Sequence, residues 1–125
     1  MKEYKSLQDR TKNYALRIIR LVSSLPKTTE ATAIGRQLIR SGTSVAANTR
    51  SAFRARSKKE FIAKLGIVIE ETDESMLWLE LLKDSKIVGE NKLINLLQET
   101  NELVSIFVSI VKSSKNKTQS HKSDL

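Results

Sequence analysis

The stretch IGRQLIRSGTSVAANTRSAFRARSKKEFIAKLGIVIEETDESMLWLELL, Ile34–Leu82, contains two runs with one rhythm. In the first, Ile34, Leu38, Ser41, Val45, Asn48 and Ala52 alternate steps of four and three residues. In the second, Phe61, Leu65, Val68, Thr72, Ser75, Leu79 and Leu82 do the same. That spacing lines one face of an α-helix and forms a heptad-like seam. Between the runs, Ser57-Lys58-Lys59-Glu60 reads as a capping box, with a serine cap and a glutamate three residues on. The pattern predicts helices over about 29–54 and 58–86. The small residues of SGTSVAAN, 41–48, let a neighbouring helix come close. Gly42 and the hydroxyl residues also lower helix propensity, allowing a bend or local break near Ser41–Ser44.

Both flanks continue the pattern. Upstream, Leu7, Thr11, Tyr14, Ile18, Leu21 and Leu25 predict a helix over about 5–24, ended by Pro26. Thr28 or Thr29 can cap the next helix, with Glu30 near its positive end. Downstream, Gly89 marks a turn, and Leu93, Leu97, Thr100, Val104, Phe107 and Val111 predict a helix over about 90–112. Four glycines and one proline in 125 residues leave little to interrupt long helices, and no segment alternates with period two. The expected fold is all-α, an up-down-up-down antiparallel four-helix bundle over residues 1–112. Residues 113–125, SSKNKTQSHKSDL, are polar and expected to form a disordered basic tail.

Two of the helices carry more apolar surface than one seam requires. Ile62, Ile69 and Met76 recur at spacing seven beside Leu77 and Trp78, and Leu96, Leu103 and Ile110 repeat the spacing in the last helix. A wide core-facing stripe accounts for this. So does an interface between copies of the chain, for which Ile62, Ile69, Met76, Trp78, Leu96, Leu103 and Ile110 are the candidates.

Charge is the other strong signal. The formal net charge is +8. Residues 112–125 supply four lysines against Asp124, so most of the excess belongs to the body. Between Ala31 and Lys59 stand Arg36, Arg40, Arg50, Arg54, Arg56, Lys58 and Lys59 with no acid. At 100° per residue, Arg36, Arg40, Arg50 and Arg54 fall within an arc of about 80°, opposite the apolar seam. Arginine's planar fork suits phosphate oxygens. Arg36, Arg50, Arg54, Arg56, Lys58 and Lys59 are therefore candidate contacts to an RNA or DNA backbone. No aromatic series accompanies them, so base readout is not expected and binding should depend steeply on salt. The alternatives are a solvated face, or pairing with Glu70, Glu71, Asp73 and Glu74 across the next helix. Arg40 is the member placed to pair, and Arg40, Asn48, Glu71 and Glu74 form a candidate structural polar network.

Catalytic chemistry is poorly provided for. There is no cysteine, and the single histidine, His121, lies in the tail, so no Ser–His or Cys–His pair and no histidine metal site is expected in the body. The four clustered carboxylates lack the Glu-x-x-His pairs of a di-metal bundle. Neither an enzyme, a metal site nor a cofactor is expected. The N-terminus lacks a signal peptide's apolar run and no stretch is long enough to span a bilayer, so a cytoplasmic protein without a membrane partner is expected.

Leu25–Leu82 resembles the bacterial four-helix-bundle family named for proteins encoded in intervening sequences of 23S ribosomal RNA genes. The likeness is carried by Leu25-Pro26, by Gln37-Leu38-Ile39-Arg40-Ser41 leading into Ser44-Val45-Ala46-Ala47-Asn48, by Ser57, Phe61 and Lys64, and by Glu71, Glu74 and Trp78-Leu79. Ser51 departs from the family pattern, which has glutamate there. The resemblance implies a homopentameric barrel of bundles. The chain is also similar to the accessory variability protein of diversity-generating retroelements, a basic pentamer that binds nucleic acid and a reverse transcriptase. The resulting expectation is a non-enzymatic, oligomeric nucleic-acid-binding bundle. The competing one is an interaction scaffold, or an accessory subunit of a protein such as a reverse transcriptase, docking an acidic partner.

Overall fold

The computed structural model describes residues 2–123, with side-chain surroundings from Leu7 to Asn116. Four helices follow one another, α1 (Lys2–Ser23), α2 (Thr29–Phe53), α3 (Lys58–Asp84) and α4 (Glu90–Ser123), and no strand occurs among the described residues. Thr28 caps α2, its hydroxyl accepting from the Ala31 N–H at 3.2 Å. Ser57 caps α3, accepting from the Glu60 N–H at 3.1 Å. Glu60 reaches back one residue further than a capping box requires and accepts from the Arg56 N–H at 3.3 Å. α3 stops two residues before Lys86, which takes the left-handed conformation (φ 62°) and turns the chain toward Gly89.

Two expectations about the helices are corrected. α2 runs without a break through Ser41–Ser44. Its hydroxyls fold back on their own helix, Thr43 donating to the Ile39 carbonyl and Thr49 to that of Val45, both at 2.7 Å, so they need no interruption of the ladder. α4 continues through Ser123 rather than stopping near 112, because the intervening residues include neither glycine nor proline. The last two residues of the expected tail lie outside the described residues.

Side-chain contacts fix the arrangement. Gly42 of α2 lies over Ile18 of α1, and Ser41 of α2 meets Ser75 of α3. Tyr14 of α1 meets Thr100 of α4, and α4 packs along α3. Each neighbouring pair is antiparallel, so α1, α2, α3 and α4 enclose a core of Tyr14, Ile18, Leu38, Val45, Leu65, Val68, Leu79, Leu82, Leu93, Leu103 and Phe107. α2 and α3 make the most intimate pair.

At mid-height the core is polar. Ser41 and Ser75 share a hydrogen bond at 2.8 Å, and Tyr14 and Thr100 one at 2.7 Å, all four residues being fully buried. Ser75 also bonds the Glu71 carbonyl at 2.9 Å and Thr100 that of Leu96 at 2.7 Å. One proton arrangement satisfies the layer: Ser41 donates to Ser75, Tyr14 to Thr100, and Ser75 and Thr100 to their own helices. Burial raises the Tyr14 phenol to about 12, with the bonds from Thr100 and Ser75 opposing. Its neutral form therefore supports the fold up to the ordinary tyrosine range, and that support is lost as pH rises through the higher value.

Two seams are rotated from the sequence reading. In α2, Thr49 is buried and Asn48 only half-buried, because Gly35 and Gly42 draw α1 onto the edge they share with Thr49. In α4, Leu96 (6% exposed) and Leu103 (0%) belong to the core, whereas Leu97 and Val104 are half-buried. Leu96 and Leu103 are thus removed from the candidate interface.

The close approach of α1 and α2 depends on Gly42, where an added Cβ would lie 2.9 Å from both Ile18 Cγ atoms. Gly42→Ala is expected to destabilise by a net ~1–2 kcal/mol, since overpacking outweighs the gain in helix propensity. At Gly66 an added Cβ meets nothing within 4 Å, so Gly66→Ala should stabilise by about 0.5–1 kcal/mol. Urea denaturation of both variants reads the two opposite signs; a stabilised Gly42→Ala would show that the close approach of α1 and α2 does not depend on the missing Cβ.

Candidate functional site

Seven cations populate the surface between Ala31 and Lys59, and the packing of α2 against α3 sorts them. Arg40 reaches across to α3. Its Nη1 donates to Glu71 Oε2 at 3.1 Å and its Nη2 to Glu74 Oε1. The Trp78 indole N–H donates to the same Glu74 oxygen at 3.2 Å. The clamp is half exposed at the arginine (48%) and mostly covered at Glu71 (18%). The Arg40 hydrogen bond holds the Glu74 carboxyl below the usual glutamate range, aided by Trp78 and opposed by burial.

Three of the four residues expected to form a polar network are brought together. Asn48 is not among them: its amide donates to the Ser44 carbonyl of its own helix at 2.9 Å. Trp78, expected at an interface, is half-buried against the core and holds Glu74. A second ion pair, absent from the sequence reading, ties α1 to α4. Arg10 grips Glu99 with both Nε (2.8 Å) and Nη2 (2.6 Å). No pattern of near neighbours in sequence signals a contact across 89 positions.

The other six cations behave differently. Arg36, Arg50, Arg54, Arg56, Lys58 and Lys59 are exposed, and none forms a salt bridge among the described residues. They do not form one continuous stripe. Arg50 lies in the last turn of α2, Arg54 is its C-cap, Arg56 follows in the turn, and Lys58 and Lys59 open α3. Arg36 stands fourteen residues before Arg50, about 21 Å along the helix, with the neutralised Arg40 between them. The basic surface is therefore two zones. One caps the α2–α3 end of the bundle, and the other lies beside the α1–α2 turn, where Lys27 joins Arg36. Because α4 runs parallel to α2, Lys112 and Lys115 lie toward the same end of the bundle as the first zone.

Among the described residues no group of three or more histidine, cysteine or carboxylate side chains is disposed to hold a metal ion. Nor is any described helix long and apolar enough to cross a membrane. Ile62, Ile69 and Met76 on α3 and Ile110 on α4 are half-buried, while Leu77 (49%) on α3 and Ile94 (56%) on α4 are the most exposed large apolar residues among those described.

Fold and surface together define a small basic four-helix-bundle protein in which Glu71, Glu74 and Glu99 tie helices together through arginines. A family model of 23S rRNA-intervening sequence proteins matches residues 5–109. The chain belongs to that family. It is also similar to a protein of unknown function from the S23 ribosomal protein family of Bacteroides thetaiotaomicron VPI-5482, whose crystal structure was determined at 1.70 Å. The two share 32% identity with a TM-score of 0.80, over 85% of this chain and 98% of the other. A comparison with curated proteins found no match.

The clamp makes a pH prediction. A depressed Glu74 contributes stability that is complete above the ordinary glutamate value of about 4.3 and is lost as pH falls through the lower, folded-state value. Arg40→Gln removes the cause. The melting-temperature gap between the parent chain and Arg40→Gln should therefore be larger at pH 7 than at pH 3, as followed by circular dichroism. An equal gap at both values would show that the pair contributes through packing alone.

Proposed function

We propose that this chain is a non-enzymatic protein that binds the phosphate backbone of RNA or DNA. The observation that carries the reading is selective pairing: Arg40 is neutralised by two carboxylates, while Arg36, Arg50, Arg54, Arg56, Lys58 and Lys59 are exposed without an ion-pair partner among the described residues. Uncompensated clusters of one sign repel themselves and favour an anionic partner. Family membership supports the reading only through the ribosomal RNA gene origin in the family's name.

A labelled oligonucleotide titrated at 50 and 200 mM salt tests it. If about six phosphates are neutralised, affinity should fall by ~10³ between those concentrations. Charge reversal at Arg50 and Arg54 should weaken binding with melting unchanged, and Arg40→Gln should affect melting more than binding. Binding that is absent at low salt, or indifferent to salt, overturns the reading. Nuclease-resistant capture of an acidic protein would then favour the scaffold alternative.

We also propose that copies of the chain associate through the α3–α4 side, as a pentamer in the form the resemblance implies. Support comes from Leu77 and Ile94, large apolar side chains at about half exposure, together with the half-buried Ile62, Ile69 and Met76 at spacing seven on α3. Light scattering at micromolar concentration should give several times the 14.1 kDa chain mass, reduced by the double substitution Leu77→Glu, Ile94→Glu. A monomer at that concentration removes this part of the proposal.

A further inference from the structure

A cleft of about 240 Å³ opens where the C-terminal end of α1 meets the start of α2. Its floor is aliphatic, formed chiefly by Val22, Leu25 and Ile39. Gly35 makes that floor: a Cβ there would lie 3.1 Å from Leu25 Cδ1 and 3.3 Å from Val22 Cγ1. Without it, both side chains lie flat against α2. Lys27 and Arg36 stand at the rim, both exposed and neither in a salt bridge among the described residues. No acidic residue lines the cleft.

A flat apolar surface bordered by two free cations matches a ligand with the same two parts, a weakly hydrated planar face joined to an anion. We infer that the cleft takes one unpaired base of a single-stranded nucleic acid, its face on Val22, Leu25 and Ile39 and its adjoining phosphate on Arg36 and Lys27. This rests on the phosphate-binding reading and adds to it a preference for single strands over duplex. The volume lies below the ~300–1,000 Å³ of sites for drug-sized ligands, so it suits one base rather than a stacked pair. Contact between a base face and aliphatic carbon involves no hydrogen-bonded readout of the base edge, so the site selects strandedness rather than sequence. The position of Arg36 agrees with this role. It sits on the α1-facing flank of α2, apart from the cluster at the far end, and its planar fork can hold a phosphate at the mouth.

Thr32 is exposed at the mouth of the cleft and takes no part in the phosphate contacts proposed above, so Thr32→Met fills the space without altering charge or offering a ring for a base to stack on. In the full chain at fixed low salt, Thr32→Met should weaken a twelve-nucleotide single strand by about fivefold, the loss expected when roughly 40 Å² of base no longer lies on aliphatic carbon. Binding of the same sequence as a duplex should be unchanged. Should both be weakened equally, or neither, with both still sensitive to salt, the base site is wrong and the phosphate reading stands. Should neither nucleic acid bind the parent chain at low salt, both fail.

A second measurement does not depend on the variant. Millimolar adenosine monophosphate should shift the amide resonances of Val22, Gly35 and Ile39 in the parent chain, whereas inorganic phosphate should shift only signals near Lys27 and Arg36. Identical shifts from the two would overturn the base site. An acidic peptide that shifts the Val22, Gly35 and Ile39 signals while adenosine monophosphate leaves them unmoved would overturn it too.

Discussion

Four buried hydroxyls at the waist of the bundle set the relation of each helix to its neighbours. Apolar seams alone tolerate sliding, because one leucine replaces another after a turn of 5.4 Å. Hydroxyls do not. Ser41 finds Ser75, and Tyr14 finds Thr100, only at one setting of α2 on α3 and of α1 on α4. Ser41, Ser75 and Thr100 also have own-helix carbonyls within reach, so a slip would leave them partly satisfied. The Tyr14 phenol lacks that alternative, and an orphaned buried hydroxyl costs about 1–3 kcal/mol. The tyrosine is therefore the strictest gauge of register.

The charge distribution follows from that register. Arg40 precedes Ser41 by one residue, and Glu71 and Glu74 flank Ser75 on the preceding turn. Once the serines meet, Arg40 falls onto the two carboxylates. The same setting on the other side places Arg10 on Glu99, one residue from the Tyr14 partner Thr100. Each clamp lies just outside the polar layer and closes the gap between two helices. Glu71 and Glu74 are thereby committed to Arg40, and the cations at the α2–α3 turn and beside the α1–α2 turn form no salt bridge among the described residues. A helix slipped by one turn would redistribute both.

Much of this was legible in the sequence, and the failures are specific. The seams of α1 and α3 could be read directly from the four-three rhythm, although apolar residues also lie off it, Leu16 and Ile19 in α1 and Leu77 in α3 standing exposed. α4 could not, because Leu93, Thr100 and Phe107 are common to two seams. Residues 96, 103 and 110 complete one, and 97, 104 and 111 the other. Which becomes core depends on where α1 and α3 stand. In α2 the glycines at 35 and 42 mark a close approach, but only the position of α1 shows that they draw Thr49 inward and leave Asn48 half out. The arginine arc was correctly placed as outward-facing. Its division into two zones follows from Arg40 meeting Glu71 and Glu74, the pairing that the facing charges of α2 and α3 had suggested. The cleft is invisible in the sequence, since it arises from a turn, a glycine and a neighbouring leucine rather than from a motif.

The two proposed surfaces do not compete. With neighbours in the order α1, α2, α3, α4 around the core, the outer side of α3–α4 lies opposite that of α1–α2. Leu77 and Ile94 stand exposed on α3 and α4, whereas Arg36 and its cleft belong to α1 and α2. Association through the apolar side leaves each cleft open on the outside of the assembly and repeats it once per copy. A single strand could then engage several clefts in succession, and the second contact becomes intramolecular once the first has formed. Weak single-base sites can support tight binding on those terms, provided the strand between them is long enough to span neighbouring copies. A shallow cleft and a half-exposed apolar side, each modest alone, gain their force from being on opposite faces of one rigidly registered bundle.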